Sequence, residues 1–281
     1  MRAFLREIRI EHTLFALPFA YVGALLAAHG LPSAWAILWI TIAVLGARTA
    51  AMAANRYLDR EIDARNPRTS RRGVASGRIP PGAMLLAIAA GLALLVVAAA
   101  MLNPLCVKLL PVAATGVIAY PLCKRFTWLT HFVLGAVDAC APLGAYIAVA
   151  GTVRLSAVLL FVAVTLWVAG FDVIYALMDL GVDREQGLRS LPARFGARSG
   201  GAFAIALHAL TALALAGAGY AAGASRLYYA GVAAAVVLLA YEGRALHGTE
   251  NVFVLNERVF NVNMAFSVLF FVTTLGASVL P

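Results

Sequence analysis

Long apolar runs recur about nine times along this chain, at roughly 12–29, 33–58, 82–102, 105–122, 128–150, 155–178, 199–222, 225–243 and 258–280. Each is close to the ~20 residues that an α-helix needs to cross the hydrocarbon core of a bilayer. A segment in lipid must satisfy its own backbone polar groups, so only helices and closed barrels span. These runs are continuous and rich in Ala, Leu and Val. They lack the alternating ten-residue pattern of a membrane barrel. Composition points the same way: 63% of residues are hydrophobic and 12% are charged, against about 25% charged in soluble domains. The expected fold is an all-α integral membrane bundle of nine transmembrane helices, with residues 1–281 as a single domain.

The N-terminal run could be mistaken for a secretory signal, because Arg2, Arg6 and Arg9 precede the apolar stretch Leu14 to Ala28. Glu7 and Glu11 are unusual in the charged region of a signal, and Pro18 falls early in the apolar run. A retained first helix is therefore expected. Charge then sets orientation. Of the 22 Lys and Arg, Lys108, Arg154 and Arg226 fall on one side of the bilayer and Arg48 lies within a span, leaving 18 on the side of the N-terminus. Basic loops stay in the cytoplasm, so the N-terminus and the polar loops are expected in the cytoplasm and the C-terminus outside. In a bacterial cell that means the inner membrane. The formal charge of +9 thus reads as topology, not as nucleic-acid binding.

Two polar loops, about 60–81 and 180–198, follow the second and sixth runs. Each is led in by acids at helical spacing. Asn55, Asp59 and Asp63 are four apart, and Asp172, Tyr175, Asp179 and Asp183 follow in steps of three, four and four. Residues so spaced share one face of a helix. Carboxylates at a membrane edge are expensive and usually face a cavity or a partner. One isolated Asp here would be an ordinary solvated helix end. Two stripes on one side, each followed by a basic loop, point instead to a shared cation site, and hard oxygen ligands suit Mg2+.

Cations flank these acids. Arg48 lies seven residues before Asn55, on the same face and deeper in the bilayer. It is a candidate clamp for a carboxylate, or the partner of an internal Asp. Tyr120 and Lys124, four apart, and the adjoining Arg125 are candidates for phosphate oxygens, or else interfacial anchors. Arg60, Arg68 and Arg189 lie in or near the acidic motifs and are candidates for a diphosphate. Arg71, Arg72, Arg194 and Arg198 read as topology determinants. His12, at the entry of the first span, either faces an acceptor or caps the helix. Asp138, among small residues in the fifth span, is a weak candidate for lining a cavity. Cys106, Cys123 and Cys140 stand singly, without metal-ligand spacing. Neither His29, His131, His208 nor His247 has spacing that suggests a metal.

At this point the chain resembles the UbiA superfamily of membrane prenyltransferases. Asn55, Asp59 and Asp63 match its N-x-x-x-D-x-x-x-D motif, and Asp172, Tyr175, Asp179 and Asp183 match D-x-x-Y-x-x-x-D-x-x-x-D. "YPLCKR" resembles its Y-x-x-x-K element, and Arg48 stands where members that prenylate aromatic acids carry Arg. The resemblance covers nearly the whole chain and implies nine helices around a central cavity. It also implies Mg2+ on the two Asp motifs, polyprenyl diphosphate as donor, and an apolar tunnel for the tail. Asn55, Asp59, Asp63, Asp172, Asp179 and Asp183 would then hold metal, with Tyr175 and the nearby cations at the diphosphate. Asp63 resembles the family acid beside the acceptor, as base or orienter. Two departures stand out: Arg56 follows Asn55 where many members have Asp, and His12 replaces a basic residue. The pattern is nearest the branch that prenylates 4-hydroxybenzoate, some members of which use a dihydroxynaphthoate for menaquinone. Other acceptors of the superfamily fit Arg48 poorly. A cation-coupled transporter would instead be expected to place its acids near the midplane on broken helices. The D-G-x-x-A-R element of a phosphatidyltransferase is absent.

Overall fold

A computed structural model describes residues 13–248 and 252–280. Among them every regular element is helical. The long helices are α1 (Thr13–Ala28), α2 (Ala34–Leu58), α4 (Pro81–Leu102), α5 (Pro104–Ala119), α6 (Thr130–Ala150), α7 (Leu155–Ala176), α10 (Ala197–Ala222), α11 (Arg226–Gly248) and α12 (Val252–Val279). Three short helices, α3 (Arg60–Arg65), α8 (Leu180–Glu185) and α9 (Leu191–Phe195), lie in the two polar loops. The apolar runs and the helices agree to within a few residues, except at Gly248 and Val252, where α11 and α12 run further than hydropathy suggested. Among the described residues, seven stretches are long and apolar enough to cross a membrane: α2, α4, α5 with the turn after it, α6, α7 continued through α8, α10, and α12 from Glu257. The chain is thus a multi-pass membrane protein. By that criterion α1 is too short and α11 does not qualify.

Helix boundaries follow local chemistry. Ser33 caps α2 by accepting from the Ala36 N–H at 3.2 Å. Pro81 and Pro104 open α4 and α5, where a missing N–H leaves nothing unsatisfied. Asn103 does more. Its side-chain oxygen accepts from the N–H groups of Leu105 and Cys106, while its amide donates to Ile147 O at 2.8 Å. The α4–α5 turn is thereby pinned to the end of α6. Gly151, at φ 65°, ends α6 in the left-handed region that glycine enters without strain.

Between helices in lipid, close packing takes the place of hydrophobic drive. A Cβ on Gly46 of α2 would lie 2.6 Å from Gly91 O of α4, and the reverse contact is the same. The two backbones therefore touch at this crossing. On the other side the bundle is closed by rings. Phe19 of α1 lies 4.8 Å from Trp167 of α7 and 5.5 Å from Phe266 of α12, centroid to centroid. Tyr228 of α11 reaches Phe270 at 5.2 Å. Trp167 also donates its indole N–H to the buried Asn263, so the aromatic body is satisfied at its polar edge.

The acidic stripes differ from the expectation in one respect. Neither runs on an unbroken α-helix. α2 stops at Leu58, and Asp59 caps it with φ −94° and ψ 3° before α3 begins. α7 stops at Ala176, Leu177–Asp179 tighten into a 3-10 turn, and Asp179 precedes α8 with φ −99° and ψ 5°. The middle acid of each motif thus occupies the same bridge region, where active-site residues often sit. Asp59 N–H still donates to Asn55 O, and Asp63 N–H to Asp59 O, so the first stripe is kinked rather than lost. Likewise the fourth apolar run, expected to stay helical to 122, tightens at Tyr120–Arg125 into a 3-10 turn containing Pro121, which cannot donate.

Candidate active site

The two kinked stripes come together through their loops. Asp59 is 1% exposed. Its Oδ2 accepts from Lys124 Nζ at 2.6 Å and from Asn55 Nδ2 at 3.1 Å, and Arg125 stands 3.8 Å from Oδ1. Oδ1 is buried with no hydrogen-bond partner. Burial pushes the Asp59 carboxyl above the ordinary Asp range and the charge of Asp63 adds to the rise, against the opposite pull of Lys124 and Arg125. Arg56 donates to Asn55 Oδ1 at 2.9 Å, which fixes the amide with its nitrogen toward Asp59.

Asp63 is held by Arg72, whose Nη1 lies 2.8 Å from both carboxylate oxygens. Arg72 therefore sits inside the cluster and is more than a topology determinant. The link between motifs is Arg68. Its guanidinium forks onto Asp179, with Nε 2.9 Å from Oδ1 and Nη2 on Oδ2, and Asn66 Nδ2 adds a third bond at 3.0 Å. The loop after the first motif thus closes onto the second. Asp183 accepts from Ser190 Oγ at 3.2 Å. Asp172, deeper on α7, lies 2.6 Å from Nδ1 of the buried His131.

Other expected residues are placed differently. Arg60 turns back onto the end of α2, donating to Tyr57 O at 2.8 Å, and pairs with Glu61 at 3.1 Å. Arg189 ties the loops, with its N–H on Lys124 O and its guanidinium on Phe126 O, both at 2.7 Å. Tyr175 packs edge-on to Phe171 at 5.6 Å. Tyr120 packs with Ala50, Ala51 and Val117, within electrostatic range of Arg48, Asp138 and Asp59. It stands between the acidic face and the membrane interior. His12 lies outside the described residues.

Behind Tyr120 is a cavity of about 230 Å³ between α2, α4, α5 and α6. Its wall is apolar apart from Arg48 and Asp138, with Cys106 and Cys140 also facing it. Arg48 Nη1 donates to Asp138 Oδ1 at 3.0 Å, while Arg48 Nε is buried without a partner. Leu109 and Val112 of α5 line the cavity and are also exposed, Val112 to 72%. The cavity therefore opens sideways through the bundle wall. Sequence alone paired Arg48 only with an unspecified Asp. Asp138, a weak candidate for lining a cavity, does line this one; His131, Asn66, Arg72 and Ser190 carried no spacing signal that would have placed them here.

The sequence pattern of the UbiA prenyltransferase family matches residues 16–253. The chain belongs to that family. It is 33% identical over 226 residues to the 4-hydroxybenzoate octaprenyltransferase of Alkalilimnicola ehrlichii, covering 78% of this chain and 75% of that one. Its fold superposes on the apo structure of a UbiA homologue from Aeropyrum pernix with TM-score 0.86 and 32% identity, over 94% and 97% of the two chains. It also superposes on a UbiA homologue from Archaeoglobus fulgidus bound to GPP and Mg2+, with TM-score 0.71 and 18% identity, over 97% and 99%. The protein is a UbiA-type membrane prenyltransferase, and the acidic face and the cavity behind it lie on the fold shared with these relatives.

Proposed function

We propose that this prenyltransferase moves a polyprenyl group from polyprenyl diphosphate to an aromatic hydroxy acid, 4-hydroxybenzoate or a dihydroxynaphthoate, in quinone synthesis. The observation that carries the reading is the Arg48–Asp138 pair on the wall of an apolar cavity, with Tyr120 between that cavity and the face of acids and cations. The cavity is greasy enough for a prenyl tail and open to lipid. Arg48 is the cation on its wall, and its unpartnered Nε is free to meet a carboxylate. The names of the relatives favour 4-hydroxybenzoate of the two acceptors.

The residues fit a divalent cation in kind. Their donors are hard oxygens, and Asp59 Oδ1 is a buried acceptor without a hydrogen bond. Among the described residues no three metal-ligating side chains of His, Cys, Asp or Glu converge, and Arg68, Arg72 and Lys124 hold three of the acids. Mg2+ would be held by Asn55, Asp59, Asp63, Asp172, Asp179 and Asp183. When bound it supplies charge neutralisation for the departing diphosphate. Arg68, Arg72 and Lys124 stand where diphosphate oxygens would replace their carboxylate partners, with Arg125 and Tyr120 beside them. These cations add electrostatic stabilisation as the leaving group gains charge. Arg48 orients the acceptor by its carboxylate, and Asp138 holds Arg48. Asp63, released when Arg72 turns to the diphosphate, is the acid assigned to the acceptor, as base or orienter.

The remaining assignments rest on the same reading. α1 and α11 complete nine spans, residues 1–281 form one domain, and the acidic face looks into the cytoplasm from the inner membrane. The deciding experiment incubates purified protein in vesicles with Mg2+, labelled polyprenyl diphosphate and each candidate acid. Prenylated product with one phenolic acid supports the proposal. Ion flux without turnover on any acceptor would overturn it in favour of a transporter.

A further inference from the structure

His131 takes no part in the sequence motifs, yet it is 2% exposed and makes two bonds to the site. Nε2 lies 3.2 Å from the backbone N–H of Leu191, and Nδ1 lies 2.6 Å from Asp172 Oδ2. A backbone N–H can only donate. Nε2 must therefore be the bare nitrogen, and the ring hydrogen sits on Nδ1, where it points at Asp172. The carboxylate gains a fixed donor on Oδ2, and the Asp172 side chain stays 27% exposed.

Leu191 is itself held. It opens α9, which Ser190 caps by accepting from the Ala193 N–H at 3.2 Å. Just before it, the Leu188 N–H donates to Asp183 O at 2.8 Å, the Arg189 N–H donates to Lys124 O, and Ser190 Oγ donates to Asp183 Oδ2. Four consecutive residues, 188–191, thus grip Asp183, the Lys124 turn and, through His131, Asp172. Loop and stripe are set together.

From this geometry we infer that His131 is a positioning residue for Asp172: it relays the fixed Leu191 N–H through its ring and aims the free carboxylate oxygen at the cation site. The inference rests on the proposed metal role of the two stripes. Partners of ligating groups typically change metal affinity by 10–100-fold when lost.

The test is calorimetric titration of Mg2+ into the full chain in detergent with inorganic pyrophosphate present to draw Arg68, Arg72 and Lys124 off the acids, with thermal unfolding of each variant recorded alongside. His131→Leu removes both bonds, His131→Asn keeps a donor near Nδ1, and His131→Gln keeps an acceptor near Nε2. The expected result is a roughly 10–100-fold loss of Mg2+ affinity in His131→Leu and His131→Gln, largely regained in His131→Asn. A purely structural histidine would show affinity tracking unfolding temperature across all three, and that result overturns the inference. Unchanged affinity in His131→Leu overturns it too, while leaving the stripes as the metal site. Wild type that binds no Mg2+ overturns the reading of the site itself, and this inference with it.

Discussion

Replacing Arg48 by Gln tests what the cavity recognises. Arg48 and Asp138 meet at 3.0 Å with side chains 16% and 23% exposed, so the pair is shielded from most water. At an effective dielectric of about 20, two charges some 4 Å apart attract by about 4 kcal/mol before desolvation is subtracted. What survives for a hydrogen bond to a charged group is about 1.5–3 kcal/mol. An acceptor carboxylate meeting the free edge of the guanidinium should lose that much in Arg48→Gln, which is roughly a ten- to hundredfold rise in KM. Seven residues of helix separate Arg48 from Asn55, or about 10 Å, so the KM for prenyl diphosphate should hold. Gln also leaves Asp138 without its cation. The double variant Arg48→Gln with Asp138→Asn removes that complication and should show the same acceptor defect with better stability. The assay compares 4-hydroxybenzoate with its methyl ester in initial-rate kinetics. The acid should suffer and the ester should not. Equal losses for acid and ester, or a rise in donor KM, would refute the assignment of Arg48 to the acceptor.

Four further outcomes follow from the same geometry. Asp59→Ala and Asp179→Ala should each remove nearly all Mg2+-dependent turnover in the vesicle assay, and normal activity in either would end the metal-site reading. Burial raises the Asp59 carboxyl above its ordinary value of 3.8, so the folded protein binds that proton more tightly than the unfolded chain does. Without metal, stability should therefore fall as pH rises through the interval between that value and the raised one. Asp59→Asn should remove this part of the slope in thermal unfolding. Mg2+ needs the ionised form, so its affinity should weaken on acidification from a higher pH than an ordinary Asp would give. Gly91→Leu should destabilise the chain by about 1–3 kcal/mol or more, because a Cβ there lies 2.6 Å from Gly46 O, a backbone atom that cannot swing away. Unfolding temperature in detergent reads the loss, and an unchanged value would show that α2 and α4 part freely.

How much of this was legible depends on whether the signal lay along the chain or across it. Helix positions were legible because apolar runs announce themselves without tertiary information, and the acids because four-residue spacing marks a face. Periodicity assumes an ideal helix, however, and so it missed the kinks at Asp59 and Asp179. Those kinks carry each stripe from its long helix onto loops that reach each other. Once the chain bends there, Arg68 can close on Asp179, 111 residues away in sequence, and Arg72 on Asp63. Arg72 looked like a topology residue for a sound reason, since a basic loop serves orientation whatever else it does. His131 was invisible for a different reason. Its two partners, Asp172 and Leu191, lie 41 and 60 residues further on, and a single buried His has no spacing to read. Asp138 shows the same limit from the cavity side: alone among small residues it was a curiosity, and only its 3.0 Å contact with Arg48 gives it work. The motif acids, which a sequence shows, state what kind of ion the site can attract. The pairings of Arg68, Arg72, His131 and Asp138 with residues far along the chain, which it does not show, decide how those acids and Arg48 are held, and so what the site can select.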